Sequence, residues 1–152
     1  MKKVIRLFVI CSCIVTGFIP AADFGSAFAK CIGKDQVNVR SGPSLQSRII
    51  LHAPLGYPIK IEKTKGDWVL CRDWENNVGW VHKPLVSDEK TVVVLVNANI
   101  RSSAGKQYGV LAKAGKGDIY KMIARKGNWI QLGYFFGDEP LGWIRSDLVF
   151  GE

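Results

Sequence analysis

Histidine and cysteine are scarce in this chain of 152 residues, with two of the first and four of the second. Beyond the N-terminal segment only His52, His82, Cys31 and Cys71 remain, and they lack the close ligand spacing of a zinc site, so no metal is expected. Nucleophilic catalysis by a cysteine needs a thiolate with a histidine base within reach, and two histidines give it little opportunity. A sustained helical period is missing throughout, and so is a glycine-rich loop opening a helix, which excludes a phosphate cradle and implies no cofactor. Carboxylates are outnumbered, 13 Asp and Glu against 21 Lys and Arg, for a net charge of +8. Such a surface favours anionic partners and is silent about fold.

What is present is a pattern that occurs twice. Asn38-Val39-Arg40-Ser41 is followed by Gly66-Asp67-Trp68, Gly79-Trp80-Val81 and Leu85. Asn99-Ile100-Arg101-Ser102 is followed by Gly127-Asn128-Trp129, Gly142-Trp143-Ile144 and Leu148. The first two blocks are displaced by 61 residues and the last two by 63, as a duplication with one short insertion would leave them. A repeat this long exceeds the roughly 20–50 residues of solenoid units, so each copy is expected to be a complete small domain. Domains of about 60 residues bury a smaller fraction of their surface than larger ones, and contact between the copies would help both. The join Ser87-Asp88-Glu89-Lys90 has neither proline nor glycine, unlike a flexible tether, so the copies are expected to touch.

The N-terminus reads as an address. Met1-Lys2-Lys3 is basic, Val4 to Ile19 is mostly apolar, and Ala27-Phe28-Ala29 offers a small-x-small cleavage pattern. Residues 1–29 are expected to be a cleaved signal peptide, the run being short for a membrane anchor of about 20 apolar residues. Cleavage removes three cations and Asp23, lowering the charge from +8 to +6. The expected products are domains at 30–88 and 89–152, periplasmic or secreted, without membrane attachment.

Within each copy the signals are those of short strands. Val37 to Arg40 alternates apolar and polar, Ser41-Gly42-Pro43-Ser44 is a turn, and Tyr57 to Ile61 and Trp68 to Arg72 are further strands. Asp73 to Asn77 reads as a polar hairpin loop returning through Val78 to Val81. In the second copy Val92 to Val96 is continuously apolar, a strand covered on both faces. Short strands punctuated by turns mean a small all-β barrel or sandwich. Cys71 stands where the second copy has Leu132, which suits a buried thiol replacing an aliphatic; a disulfide to Cys31 is the alternative in an oxidising compartment.

These residues resemble the bacterial SH3 domain family, with its Asn-x-Arg-x-Gly-Pro turn, Gly-x-Trp turn and Gly-Trp-Val strand. The second copy keeps Asn99, Arg101, Gly127, Trp129, Gly142 and Trp143 but has Ser103-Ala104-Gly105 in place of Gly42-Pro43-Ser44, a reason to expect binding in the first copy alone. The run Cys71-Arg72-Asp73-Trp74 with Gly79-Trp80-Val81-His82 is similar to a tandem-domain exported subfamily of α-proteobacteria. The resemblance implies an all-β fold of two tandem SH3-like barrels. It also implies a non-enzymatic role, with peptidoglycan, its stem peptides or an envelope protein as partner. The cell-wall peptidases that carry such domains place their catalytic residues in a separate domain, for which no segment is left over here. Lys and Arg are spread rather than clustered, and export separates the chain from nucleic acid, so none is expected as a partner.

Asn38, Arg40, Asn99 and Arg101 are expected to be structural, asparagine serving turns and arginine tying loops through carbonyls. Trp68, Trp80, Trp129 and Trp143, with Gly66, Gly79, Gly127 and Gly142, recur in both copies and are read as packing. Trp74 lies in a polar loop without a counterpart, and Trp74→Ala is expected to weaken binding with little change in melting temperature. With Tyr57, Arg72, His82, Tyr134 and Phe135 it makes the candidate ligand set: exposed aromatics beside basic groups suit an extended peptide and its carboxylates. The alternative role for the loop aromatics is to seal the interface between the barrels.

Overall fold

The computed structural model describes residues 29–137 and 139–152. The expected leader, apart from Ala29, therefore lies outside the described residues. The first copy forms β1 (Ala29–Ile32), β2 (Val37–Arg40), β3 (Ile49–Ala53), β4 (Pro58–Lys65), β5 (Trp68–Arg72), β6 (Val78–His82) and β7 (Val86–Ser87). The second forms β8 (Thr91–Val94), β9 (Ala98–Arg101), β10 (Val110–Ala114), β11 (Ile119–Lys126), β12 (Trp129–Gly133), β13 (Pro140–Arg145) and β14 (Val149–Phe150). Each set is one antiparallel sheet of seven strands, ordered β3-β2-β6-β5-β4-β1-β7 and, strand for strand, β10-β9-β13-β12-β11-β8-β14. Even the irregularities are duplicated. The register slips by a residue between Ile61 and Lys63 and again between Met122 and Ala124, bulges that sharpen the curl of the sheet.

Period-two alternation sets the two faces. Val37 and Val39 point inward with Ala53, Ile59, Val69, Cys71, Val81 and Ile32, so strands from all along the sheet meet in one core. The second core repeats it with Val92, Val94, Ile100, Ala114, Ile130, Leu132, Ile144 and Val149. A sheet that contributes to a single core from both ends must be curled round it. Short 3₁₀ turns at Lys83–Leu85 and Ser146–Leu148 carry the chain to the last strand of each sheet.

The glycines of the repeated Gly-Trp pair mark where this curl is tightest. A Cβ at Gly79 would lie 2.5 Å from Val39 Cγ1, and one at Gly142 would lie 2.6 Å from Ile100 Cγ2 and 2.8 Å from the Arg101 carbonyl oxygen. Strands β6 and β13 thus cross β2 and β9 too closely for any side chain.

The two barrels touch along a seam, as the stiff join led us to expect. All four residues of β8 are buried: Val92 and Val94 enter their own core, while the Thr91 hydroxyl donates to the Gly56 carbonyl oxygen of the first barrel at 2.7 Å. Cys31 is buried outside the first core, beside Thr91 and Ser87. Gly151 packs where a Cβ would lie 2.8 Å from that of Pro58. Flanking the join, Lys30 pairs with Asp88 and Lys121 with Glu89. The apolar run that opens the second copy is covered on both faces for this reason, but its strand stops at Val94 and Val96 is exposed.

The disulfide alternative is corrected here, because Cys31 and Cys71 are both free thiols. Strand β4 runs between them, pairing Cys31 with Pro58 on one side and Cys71 with Ile61 on the other. Strands one removed are about 9–10 Å apart, beyond the roughly 4.4–6.8 Å that a disulfide spans between Cα atoms. Cys71 sits in the core, where its thiol donates to the Gly79 carbonyl oxygen at 3.4 Å.

Candidate functional site

Since Val39, Val69 and Val81 point inward, the residues one position away on β2, β5 and β6 point out. Asn38, Arg40, Trp68 and His82 share that outer face, Trp68 directly opposite His82 in the β5–β6 register with ring centres 5.4 Å apart. With Leu45 from the loop between β2 and β3 and Leu85 from the 3₁₀ turn they line a surface groove of about 280 Å³. The loop carrying Leu45 is held by Arg40, whose Nη1 donates to the Ser47 carbonyl oxygen at 2.9 Å.

The second barrel builds the same groove from the same positions. Asn99, Arg101, Lys106, Trp129, Arg145 and Leu148 line a space of about 200 Å³, each at the repeat position of its counterpart in the first. Arg101 Nη1 donates to the Tyr108 carbonyl oxygen at 2.8 Å, as Arg40 does in its own loop, and Trp129 faces Arg145 across the β12–β13 register. A second depression of about 580 Å³ adjoins it, sharing Lys106, Trp129 and Arg145 and reaching Ala104 and Gly105.

Arginine tying a loop to the barrel was expected of Arg40 and Arg101, and both make that bond. The motif tryptophans are placed differently from a packing role: Trp68, Trp80, Trp129 and Trp143 are half-buried and belong to neither core cluster. Trp68 and Trp129 form groove walls. The signal that could have found them was parity, since each lies one residue from an inward-facing Val69 or Ile130.

The candidate ligand set does not converge on one groove. His82 lies in the first groove, while Arg72 pairs with Glu62 at 2.6 Å. Trp74 and Phe135 are at the seam: Lys116 Nζ of the second barrel stands 5.5 Å over the Trp74 ring, and Phe135 packs on Gly56. Tyr134 is exposed beside Tyr120, with ring centres 6.5 Å apart.

Beneath Trp74 is a residue the polar-loop expectation missed. Asp73 is only 5% exposed. It accepts from the backbone N–H of Glu75 and Asn77, from Asn77 Nδ2 and from the Tyr57 hydroxyl, all at 2.9 Å. A carboxylate so placed organises a turn that includes Asn76 at φ +66° and holds Trp74 against the seam. Burial, then the bond to Asp73, pushes the Tyr57 hydroxyl's pKa up.

Burial likewise raises the Cys31 thiol, and raises Cys71 to about 12. Tyr120 is raised to about 12 by burial and by Asp118. Both thiols are thus protonated at neutral pH, which opposes nucleophilic chemistry. Among the described residues no three His, Cys, Asp or Glu side chains are grouped to hold a metal ion, and no helix is long and apolar enough to cross a membrane.

Curled antiparallel sheets of this order, each with a groove walled by tryptophan, arginine and asparagine, define a tandem of SH3-like barrels. Residues 33–88 match one family model described as "Bacterial SH3 domain" and residues 96–150 match a second with the same description. The chain thus carries two bacterial SH3 domains in tandem and belongs to that family.

Among curated proteins it is similar to YrvJ of Bacillus subtilis (strain 168), named as an N-acetylmuramoyl-L-alanine amidase, at 27% identity over 98% of this chain and 31% of that protein. It is also similar to LytH of Staphylococcus epidermidis, named as a cell wall amidase, at 38% identity over 39% of this chain and 21% of that one. The chain therefore spans less than a third of the length of these relatives. Among solved structures, NlpC1 of Trichomonas vaginalis aligns at 12% identity with a TM-score of 0.37, over 82% of this chain and 45% of that one.

Proposed function

We propose that this chain is a non-enzymatic binding module of the cell envelope that recognises peptidoglycan or its stem peptides. The observation that carries the reading is the groove present at the same six positions in both barrels. A half-buried tryptophan supplies a flat apolar face for an extended chain, and Asn38 or Asn99 with a loop-tying arginine supplies polar edges. Similarity to proteins named as an N-acetylmuramoyl-L-alanine amidase and a cell wall amidase supports the wall as the place where such grooves are used. Export by the N-terminal segment is part of the same proposal.

The test is co-sedimentation of the purified chain with insoluble peptidoglycan at low and physiological salt. Retention that survives physiological salt in the parent and is lost in Trp68→Ala/Trp129→Ala is expected. Retention at low salt alone would mean that net positive charge was finding an anionic polymer, and would overturn the reading.

One observation favours a second reading, that of an adaptor for an envelope protein without wall affinity. Strands β3 and β10 end their sheets and expose Ile49 and Ile50 in one barrel and Val110 and Leu111 in the other. Apolar side chains on a free strand edge suit a protein partner.

A further inference from the structure

The two grooves are built alike but are not chemically alike. At the position of Leu45 in the first, the second has Lys106; at that of His82, it has Arg145. The second groove is lined by three cationic side chains and no carboxylate. The first sets Lys34 and Arg40 against Asp35 and fills the other two places with leucine and histidine.

The availability of those cations matters as much as their number. Arg101 uses one Nη on the Tyr108 carbonyl. Arg145 donates through Nε and Nη2 to Asp147, which leaves its Nη1 for a ligand. Lys106 is exposed and forms no hydrogen bond or ion pair among the described residues. Lys106 lines both the groove and the adjoining depression, as do Trp129 and Arg145. Ala104 and Gly105 of this copy's altered turn line that depression.

We infer that the second groove, unlike the first, selects a peptide carboxylate of the wall. An extended segment lies over Trp129, and its carboxylate is taken by Lys106 with Arg145 and Arg101 around it. The first groove receives an uncharged stretch against Trp68, Leu45 and His82. This inference rests on the proposed wall-binding role and adds a division of labour within it. It also reverses the expectation that the second copy, having lost its Gly-Pro turn, has lost its ligand.

The experiment measures binding of the purified chain at physiological salt to peptidoglycan before and after its free carboxyl groups are amidated. Lys106→Leu/Arg145→His gives the second groove the residues of the first, and Trp129→Ala removes its wall. Circular dichroism and melting temperature establish that each variant is folded. The parent is expected to bind native wall about tenfold or more tighter than amidated wall, from charged hydrogen bonds lost. The Lys106→Leu/Arg145→His variant should bind both materials alike, at the parent's level on amidated wall. A parent indifferent to amidation would overturn the inference. So would a double variant that binds native wall like the parent while Trp129→Ala does not, an outcome that leaves the wall-binding role standing. Folded Trp68→Ala and Trp129→Ala variants that both bind like the parent would remove that role and this inference with it.

Discussion

Replacing Thr91 by valine tests whether the seam holds the two barrels by more than shape. Thr91 is 2% exposed, and its hydroxyl reaches the Gly56 carbonyl of the other barrel at 2.7 Å. Valine nearly preserves the volume but removes the donor, leaving a buried carbonyl without this partner. An unsatisfied buried polar group costs about 1–3 kcal/mol. For a folded region of this size that is a fall in melting temperature of roughly 3–12 °C. Thr91→Ser keeps the hydroxyl and loses only a methyl, a loss of about 1 kcal/mol. Urea unfolding followed by tryptophan emission and far-ultraviolet circular dichroism, with thermal melts alongside, reads both variants. The valine variant should be the less stable of the two and should pull the two probes apart as the barrels lose their coupling. A valine variant as stable as the serine variant would refute the reasoning, since the seam would then be apolar packing alone.

Three further outcomes are expected. Gly142→Ala should destabilise more than Gly79→Ala, each by about 1–3 kcal/mol for overpacking, because Gly142 also sits at φ +147°; chemical denaturation of the pair decides it. Trp74→Ala should lower stability by roughly 1–3 kcal/mol and leave wall retention unchanged, the reverse of what its loop position implied, and a melt with a sedimentation assay on one sample reads both. Stability should decline in alkali: Cys71 is raised from 9.0 to about 12, so the unfolded chain releases its proton first and the folded state loses roughly 1 kcal/mol per pH unit above about 9. Melting temperatures from pH 8 to 11 check this, and Cys71→Ala should flatten the decline.

The fold was legible because duplication and alternation are local properties of a sequence. Asn38, Trp68 and Trp80 recur at fixed displacements as Asn99, Trp129 and Trp143, and the strands they imply are present. The site was less legible because its meaning lies in which side chains share a face. Trp74 looked exposed, being set among polar residues, yet Lys116 from the other barrel stands over it. Asp73 was read only as the start of a polar hairpin loop, yet its carboxylate is buried with Tyr57. The Lys116–Trp74 and Tyr57–Asp73 contacts span sequence separations that no local pattern encodes. The tryptophan of each groove was read as core because it recurs, although recurrence marks a shared site as readily as a shared interior.

Strand β8, enclosed by its own barrel on one side and by the first barrel on the other, has a mechanical consequence. On the proposed wall-binding role, that contact would limit how far the two grooves can move apart. A polymer that repeats its chemistry at regular intervals can fill the second groove at high effective concentration once the first is filled, and such bivalency multiplies weak affinities by roughly 10²–10⁴. A soluble fragment carrying one unit gains nothing from that geometry. On the proposed wall-binding role, the chain would hold the polymer longer than its soluble fragments.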